Sequence, residues 1–142
     1  MIDGLIVTPL KKIEHPKGDL MHAMKASSPG FSGFGEAYFS SVIEGEIKGW
    51  KQHTRMMLNL VVPVGKVRFV VYDDRQESGT FGQFSDITLG ADNYARLTVP
   101  SGVWMAFQGA SEGLNLLLNM ADIEHNPDEA NNKPLAQLSY PW

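Results

Sequence analysis

The stretch 56–74, MMLNLVVPVGKVRFVVYDD, decides the fold. Two apolar runs rich in β-branched residues flank Pro63-Val64-Gly65-Lys66, which carries the proline and glycine of a compact turn. Each run is short for a helix, and valine after valine stiffens the side chains against helical packing, so the segment reads as two strands joined by a compact turn. Working outward, the pattern recurs in EAYFSSVI (36–43), FSDITLG (84–90), YARLTVP (94–100), VWMAFQG (103–109) and GLNLLLNMAD (113–122). The turns between them are compact: Gln76 to Gly82, Gly90 to Asn93, Pro100-Ser101-Gly102 and Ala110 to Gly113. Short strands at regular spacing predict an all-β sandwich or barrel. No long amphipathic helix is expected; AMKASS near residue 25 and DEANN near residue 130 have room for one turn each.

A chain of 142 residues, 43% hydrophobic and 20% charged, suits one domain with a single core. No apolar run approaches the ~18 residues of a membrane span. The net charge of −4, with no dense Lys/Arg stripe, argues against a nucleic-acid surface, although local basic spots can still hold a phosphate. There is no cysteine, hence no disulfide and no thiolate chemistry, and the start shows no signal-peptide core; a cytoplasmic location is the expectation. Two segments are irregular. Residues 15–35, HPKGDLMHAMKASSPGFSGFG, suit an arm laid over a surface or a neighbouring subunit. The tail 125–142 contains Pro127, Pro134 and Pro141, which interrupt any ladder, and ends in Tyr140 and Trp142, which can tack it down.

Polar residues on apolar strands mark candidate sites. In GLNLLLNMAD, alternation puts Leu114, Leu116, Leu118 and Met120 on one face, expected to be core, and Asn115, Leu117 and Asn119 on the other. Buried amides need partners, so the face of Asn115 and Asn119, and likewise Asn59 in MMLNLVV, should meet a hydrogen-bonded network or a wet, ligand-facing lumen. In IKGWKQHTR (47–55), alternation groups Lys51, His53 and Arg55 on one face and Lys48, Trp50 and Gln52 on the other. A neutral imidazole beside two cations can act as a base, bind an anion or sugar hydroxyl, or serve structure; the sequence leaves all three open. A metal centre is not expected, because His15, His22, His53 and His125 are scattered without a His-x-His pair. No cofactor is expected either.

Taken in order, IKGWKQH, then LNLVVPVGKVRFVVYDDRQESGTFGQF, LTVPSGVWMAF and LLLNMADIEHNPDEA resemble the dTDP-4-dehydrorhamnose 3,5-epimerase family of cupins over about residues 13 to 130. The SGTFG turn and the PSGVWMAF segment are the most specific parts. The resemblance implies a cupin jelly-roll barrel, usually dimeric through exchanged N-terminal strands, that binds a nucleotide-linked 4-keto sugar in its mouth. Residues 1–35 would then be the arm that crosses to a partner, within a homodimer.

The family's catalytic residues fit this chain less well. Its Arg-Gly-Leu-His base falls on Lys51, with His53 two positions later; its second histidine falls on Met105, its proton-donating tyrosine on Ile123 or Glu124, and its lysine near Met57 or Leu58. The aspartate that partners the base belongs to a C-terminal segment expected to be missing. Cations survive at Lys17, the start of the arm segment KGDLMH that ends at His22, and at Lys48, although a lysine gives no bidentate contact. The expected catalytic residues are thus Lys51 and His53. The expected ligand contacts are Lys17, His22, Lys48, Arg55, Asn59, Met105, Asn115 and Asn119. Three functions stay open: an epimerase-like isomerase acting on a nucleotide-linked keto sugar in surface-polysaccharide synthesis, a non-catalytic cupin that binds such a ligand or a glycan, and a dimerising barrel that is merely packed. Because both acid and base have lost their usual residues, His53 is expected at the barrel mouth as a ligand contact, with 3,5-epimerase turnover weak or absent.

Overall fold

The computed structural model describes residues 1–142 and shows two facing five-stranded antiparallel sheets, the jelly-roll barrel that the family resemblance implies and the strand spacing fits. The strands are β1 (Ile6–Pro9), β2 (Lys12–Ile13), β3 (Leu20–Met21), β4 (Glu36–Ser41), β5 (Ile47–His53) and β6 (Leu58–Val64). They continue as β7 (Lys66–Asp73), β8 (Phe84–Gly90), β9 (Ala95–Val99), β10 (Val103–Gly109), β11 (Leu116–Ala121) and β12 (Ala130–Asn132). The first sheet runs β1-β9-β6-β11-β4 and the second β12-β5-β10-β7-β8, while β2 and β3 form a separate hairpin.

β6 and β7 are joined at Gly65, where the chain crosses from the first sheet to the second, so the two strands do not pair with each other. That residue has φ +76°, and a Cβ there would lie 2.2 Å from the Leu114 carbonyl oxygen, so both its conformation and its surroundings call for glycine. Pro63 sits inside β6 at a bulge: two steps along β11, Leu116 to Leu118, oppose three along β6, Val64 to Val61. A strand interior tolerates proline at such a break because one ladder bond is already lost.

Alternation then sorts side chains into two clusters. Leu58, Leu60 and Val62 of β6, Val67, Phe69 and Val71 of β7, and Leu97 and Val99 of β9 fill the space between the sheets. The opposite parity of β7 and β10 puts Val70, Trp104 and Ala106 with Trp50 on the outer face of the second sheet. Left bare, that patch would be a large apolar surface; the tail covers it with Leu135, Leu138, Tyr140 and Trp142. Trp50 Nε1 donates to the Leu135 carbonyl, and Arg68 stacks over the rings of Tyr140 and Trp142. The tail is thus pinned at its closing aromatic residues, as the sequence suggests.

Four details differ from the sequence reading. On β11 it is Leu117, Asn119 and Ala121 that are buried, and the Leu116, Leu118 and Met120 face is only half-buried, because the barrel interior takes the asparagine parity. Residues 6–9 close one edge of the first sheet against β9, and Ile2 and Leu5 join the core, so the irregular arm begins only after Pro9. AMKASS forms turns rather than a helical turn, and near residue 130 a 3₁₀ turn, Pro127–Glu129, leads directly into β12.

The SGTFG turn has a structural role. Asp73, fully buried, accepts hydrogen bonds from Arg75 Nε and Nη2, Ser78 Oγ and Thr80 Oγ1. The Arg75 guanidinium foremost, with the two hydroxyls, holds its carboxyl well below the usual range against the opposing effect of burial. One ionised side chain therefore organises the β7–β8 connection.

Candidate active site

Between the sheets, at one end of the barrel, lies a cavity of about 240 Å³. The second sheet contributes Lys48, Lys51 and His53 from β5 and Met105 from β10; the first contributes Tyr38 and Ser40 from β4 and Asn119 from β11. Strict alternation would point Lys48 away from Lys51. A bulge prevents this: Met105 pairs with Lys51 and Phe107 with Lys48, so two steps along β10 match three along β5, and the parity shifts in between. Lys48 Nζ donates to Ser40 Oγ at 3.3 Å and lies over the Phe107 ring. Neither lysine forms an ion pair, and no carboxylate lines the cavity, so its wall is cationic.

His53 has a carboxylate behind it. Its Nδ1 bonds to Glu129 Oε1, and the Glu129 side chain is 1% exposed against 14% for His53. The other carboxylate oxygen, Oε2, accepts the backbone N–H groups of Arg55 and Met56 at 3.1 and 3.0 Å. Burial alone would raise the Glu129 carboxyl, but the His53 ring and these two N–H groups outweigh it and hold the pKa below its ordinary value. An ionised Glu129 requires Nδ1 to carry a proton and donate it, which leaves the Nε2 lone pair as the basic end of the ring.

Local sequence places Glu129. Asn126 caps the 3₁₀ turn by accepting from the Asp128 N–H, Pro127 starts it, and Ala130 pairs with His53 in the β12–β5 ladder. Thr54 N–H and Oγ1 both donate to the Glu129 carbonyl. The carboxylate partner expected to be missing is thus supplied by the tail, as a glutamate 76 residues beyond the histidine.

On the facing wall, Asn119 and Tyr38 are directly opposed in the β11–β4 register, and Asn119 Nδ2 donates to Tyr38 Oη at 2.9 Å. Asn119 Oδ1 is buried without a hydrogen-bond partner. Burial raises the Tyr38 phenol; the Asn119 bond lowers it by less, and the Glu36 charge adds to the rise. Tyr38 and Glu129 were not anticipated. A tyrosine in EAYFSS looks like any strand aromatic, and NPDE signals only a turn.

The structure therefore brings together Lys48, Lys51, His53, Met105 and Asn119 and places the other expected contacts elsewhere. Asn59 faces outward between the core positions Leu58 and Leu60; it accepts from Arg96 Nε and Thr98 Oγ1 and donates to the Gly30 carbonyl. With Arg96, it pins the loop over 23–30 to the sheet. Asn115 organises the preceding loop by accepting the Lys66 N–H and donating to the carbonyls of Val42 and Ser111. Both amides are engaged by side-chain and backbone partners and are structural. Arg55 follows β5 with an exposed side chain and meets the site only through its N–H. Lys17 lies at the exposed tip of the β2–β3 hairpin. His22 lines a separate basic depression with Lys11 and Lys25.

The chain matches the sequence profile described as dTDP-4-dehydrorhamnose 3,5-epimerase over residues 2–136. It is 28% identical to the spore coat polysaccharide biosynthesis protein SpsL of Bacillus subtilis strain 168, across all of this chain and 91% of that protein. Among solved structures, a dTDP sugar isomerase from Desulfovibrio desulfuricans G20 superposes with a TM-score of 0.91 at 37% identity, covering 94% of this chain and 86% of that one. A dTDP-4-dehydrorhamnose 3,5-epimerase from Bacillus anthracis strain Ames, solved with TDP and pyrophosphate bound, shares the fold with a TM-score of 0.84 at 20% identity, covering 98% of this chain and 85% of that one.

Proposed function

The chain belongs to the dTDP-4-dehydrorhamnose 3,5-epimerase family, and from that premise we propose that it is an active isomerase on a nucleotide-linked 4-keto sugar, in the synthesis of a surface polysaccharide. The observation that carries this reading is the His53–Glu129 pair opening onto a cationic cavity. A binding protein needs hydroxyl and phosphate contacts; it has no need of a histidine backed by a buried carboxylate. His53 Nε2 removes the proton from the carbon beside the keto group, and the electron pair moves onto the keto oxygen. Lys51, on the same wall two residues earlier, offers positive charge to that oxyanion. Lys48 offers a second cation to a phosphate or sugar oxygen. This reading replaces the expectation of His53 as a ligand contact with weak or absent turnover, which rested on both acid and base having lost their usual residues. The relatives' names agree with it, one being a polysaccharide biosynthesis protein and another a dTDP sugar isomerase.

The same reading has the protein work as a homodimer in the cytoplasm. Support for the dimer comes from β4, an outer strand of the first sheet, on and just beyond which Phe39 is 66% and Ile43 74% exposed. No helix is long and apolar enough to cross a membrane, and a charged nucleotide ester is an aqueous substrate. Sedimentation equilibrium at micromolar concentration is expected to give twice the chain mass; a monomer there removes the dimer.

The test of the enzymatic reading is solvent-deuterium incorporation into dTDP-4-keto-6-deoxyglucose, followed by proton NMR. Loss of the C3 or C5 proton signal is expected. No exchange, with binding retained as a thermal shift, would return the protein to the ligand-binding class; a ligand at 100 times its dissociation constant adds about 2.7 kcal/mol of apparent stability.

A further inference from the structure

Inverting a carbon beside a ketone takes two groups. A base removes the proton from one face of the flat enolate, and an acid must return a proton to the other. His53 stands on the wall formed by the second sheet, so the acid has to come from the first, across the cavity. The groups of that wall able to donate a proton there are Tyr38, Ser40 and Asn119. Ser40 Oγ already accepts from Lys48 and is a weak acid; an amide is weaker still.

We propose that Tyr38 is the proton donor to the face of the sugar opposite His53, with Asn119 as its positioning residue. This deepens the isomerase reading above and rests on it.

The hydrogen-bond pattern gives the direction. Tyr38 Oη accepts from Asn119 Nδ2, and no protein acceptor takes the phenolic proton, which remains available to the cavity. Tyr38 and Asn119 are cross-strand neighbours, so the bond fixes the ring from a rigid ladder rather than from a loop. Burial keeps the phenol protonated at neutral pH, the form a donor must hold when substrate arrives. The step balances. The C–H proton goes to His53 Nε2, and its electron pair forms the enolate. As the carbonyl re-forms, the carbon takes the Tyr38 Oη proton on the opposite face, leaving a tyrosinate. Tyr38 is 48% exposed and so recovers a proton from water, while His53 releases one.

The experiment separates exchange from inversion. Full-length wild type and Tyr38→Phe are incubated with dTDP-4-keto-6-deoxyglucose in D₂O, and NMR follows both loss of the substrate C–H signal and appearance of the inverted product. In Tyr38→Phe, inversion is expected to fall by about 10²- to 10⁴-fold. Exchange into unreacted substrate should continue within a few-fold, because His53 can return deuterium to the face it deprotonated. Asn119→Ala should show the same split to a smaller degree, with exchange outrunning inversion; a purely structural asparagine would slow both alike. Inversion at the wild-type rate in Tyr38→Phe overturns the proposal. Equal loss of exchange and inversion in a variant with the wild-type melting temperature also overturns it, making Tyr38 a binding residue. A wild type that shows no exchange overturns the isomerase reading itself, and the donor role with it.

Discussion

Replacement of His53 by asparagine is expected to lower solvent exchange at the carbon beside the keto group by about 10²- to 10⁴-fold, the loss that follows removal of a positioned base. Asparagine keeps a polar side chain of similar reach but has no group that accepts a proton near neutral pH. Binding of dTDP, read by thermal shift, should change little, because Lys48 and Lys51 remain. Lys51→Ala is the informative comparison. If Lys51 were the base, as its alignment with the family histidine implies, exchange would survive in His53→Asn and vanish in Lys51→Ala. That result would overturn the assignment made from the His53–Glu129 pair.

Glu129→Ala should have the largest effect on stability. The buried carboxylate sits at the junction of three donors, His53 Nδ1 and the N–H groups of Arg55 and Met56, and truncation leaves all three without a partner. Breaking a buried charged network by removing one member costs about 3–5 kcal/mol, which urea unfolding would read. The effect depends on pH with a definite sign. Glu129 titrates below its ordinary value of 4.5 in the folded protein, so its stabilisation is fully present above that value and is lost as the pH falls through the folded-state pKa. The gap between wild type and variant should therefore narrow in acid.

Glu129→Gln isolates the catalytic part. Its amide oxygen can still accept from Arg55 and Met56, but the amide N–H₂ then faces Nδ1 and selects the tautomer with the proton on Nε2. That ring cannot take a proton from substrate, so exchange should fall about as far as in His53→Asn while the fold persists. Glu129→Gln with wild-type exchange would show that the carboxylate serves structure alone.

The two predictions turn on residues that the sequence presents unequally. His53 is conspicuous in IKGWKQH, because a lone imidazole between cations on an apolar strand invites a chemical reading. Glu129 is one of several acidic residues in a proline-interrupted tail, and nothing within NPDEANN points 76 positions back along the chain. Tyr38 and Asn119 are hidden in the same way, since each is ordinary in its own strand and only the β4–β11 register makes them a pair. Lys48 shows the converse. Its parity is wrong for the cavity until the β5 bulge corrects it, and a bulge leaves no mark in IKGWK beyond a glycine.

By itself, the sequence determined that the chain is all-β, where most of its strands and turns lie, the family it resembles, and that His53 and Lys51 stand on one face of a strand. These are local properties: side-chain branching, period-two alternation and the conformational demands of proline and glycine act over a few residues and are written in order along the chain. Only the tertiary structure decided which asparagines are structural, that the tail supplies the missing carboxylate, and that a tyrosine and a histidine from different sheets share one cavity. Those facts depend on strand register, on bulges and on which sheet lies across from which. Register and bulges are fixed by the summed burial of many side chains across distant segments, and that sum exists only once the barrel has closed.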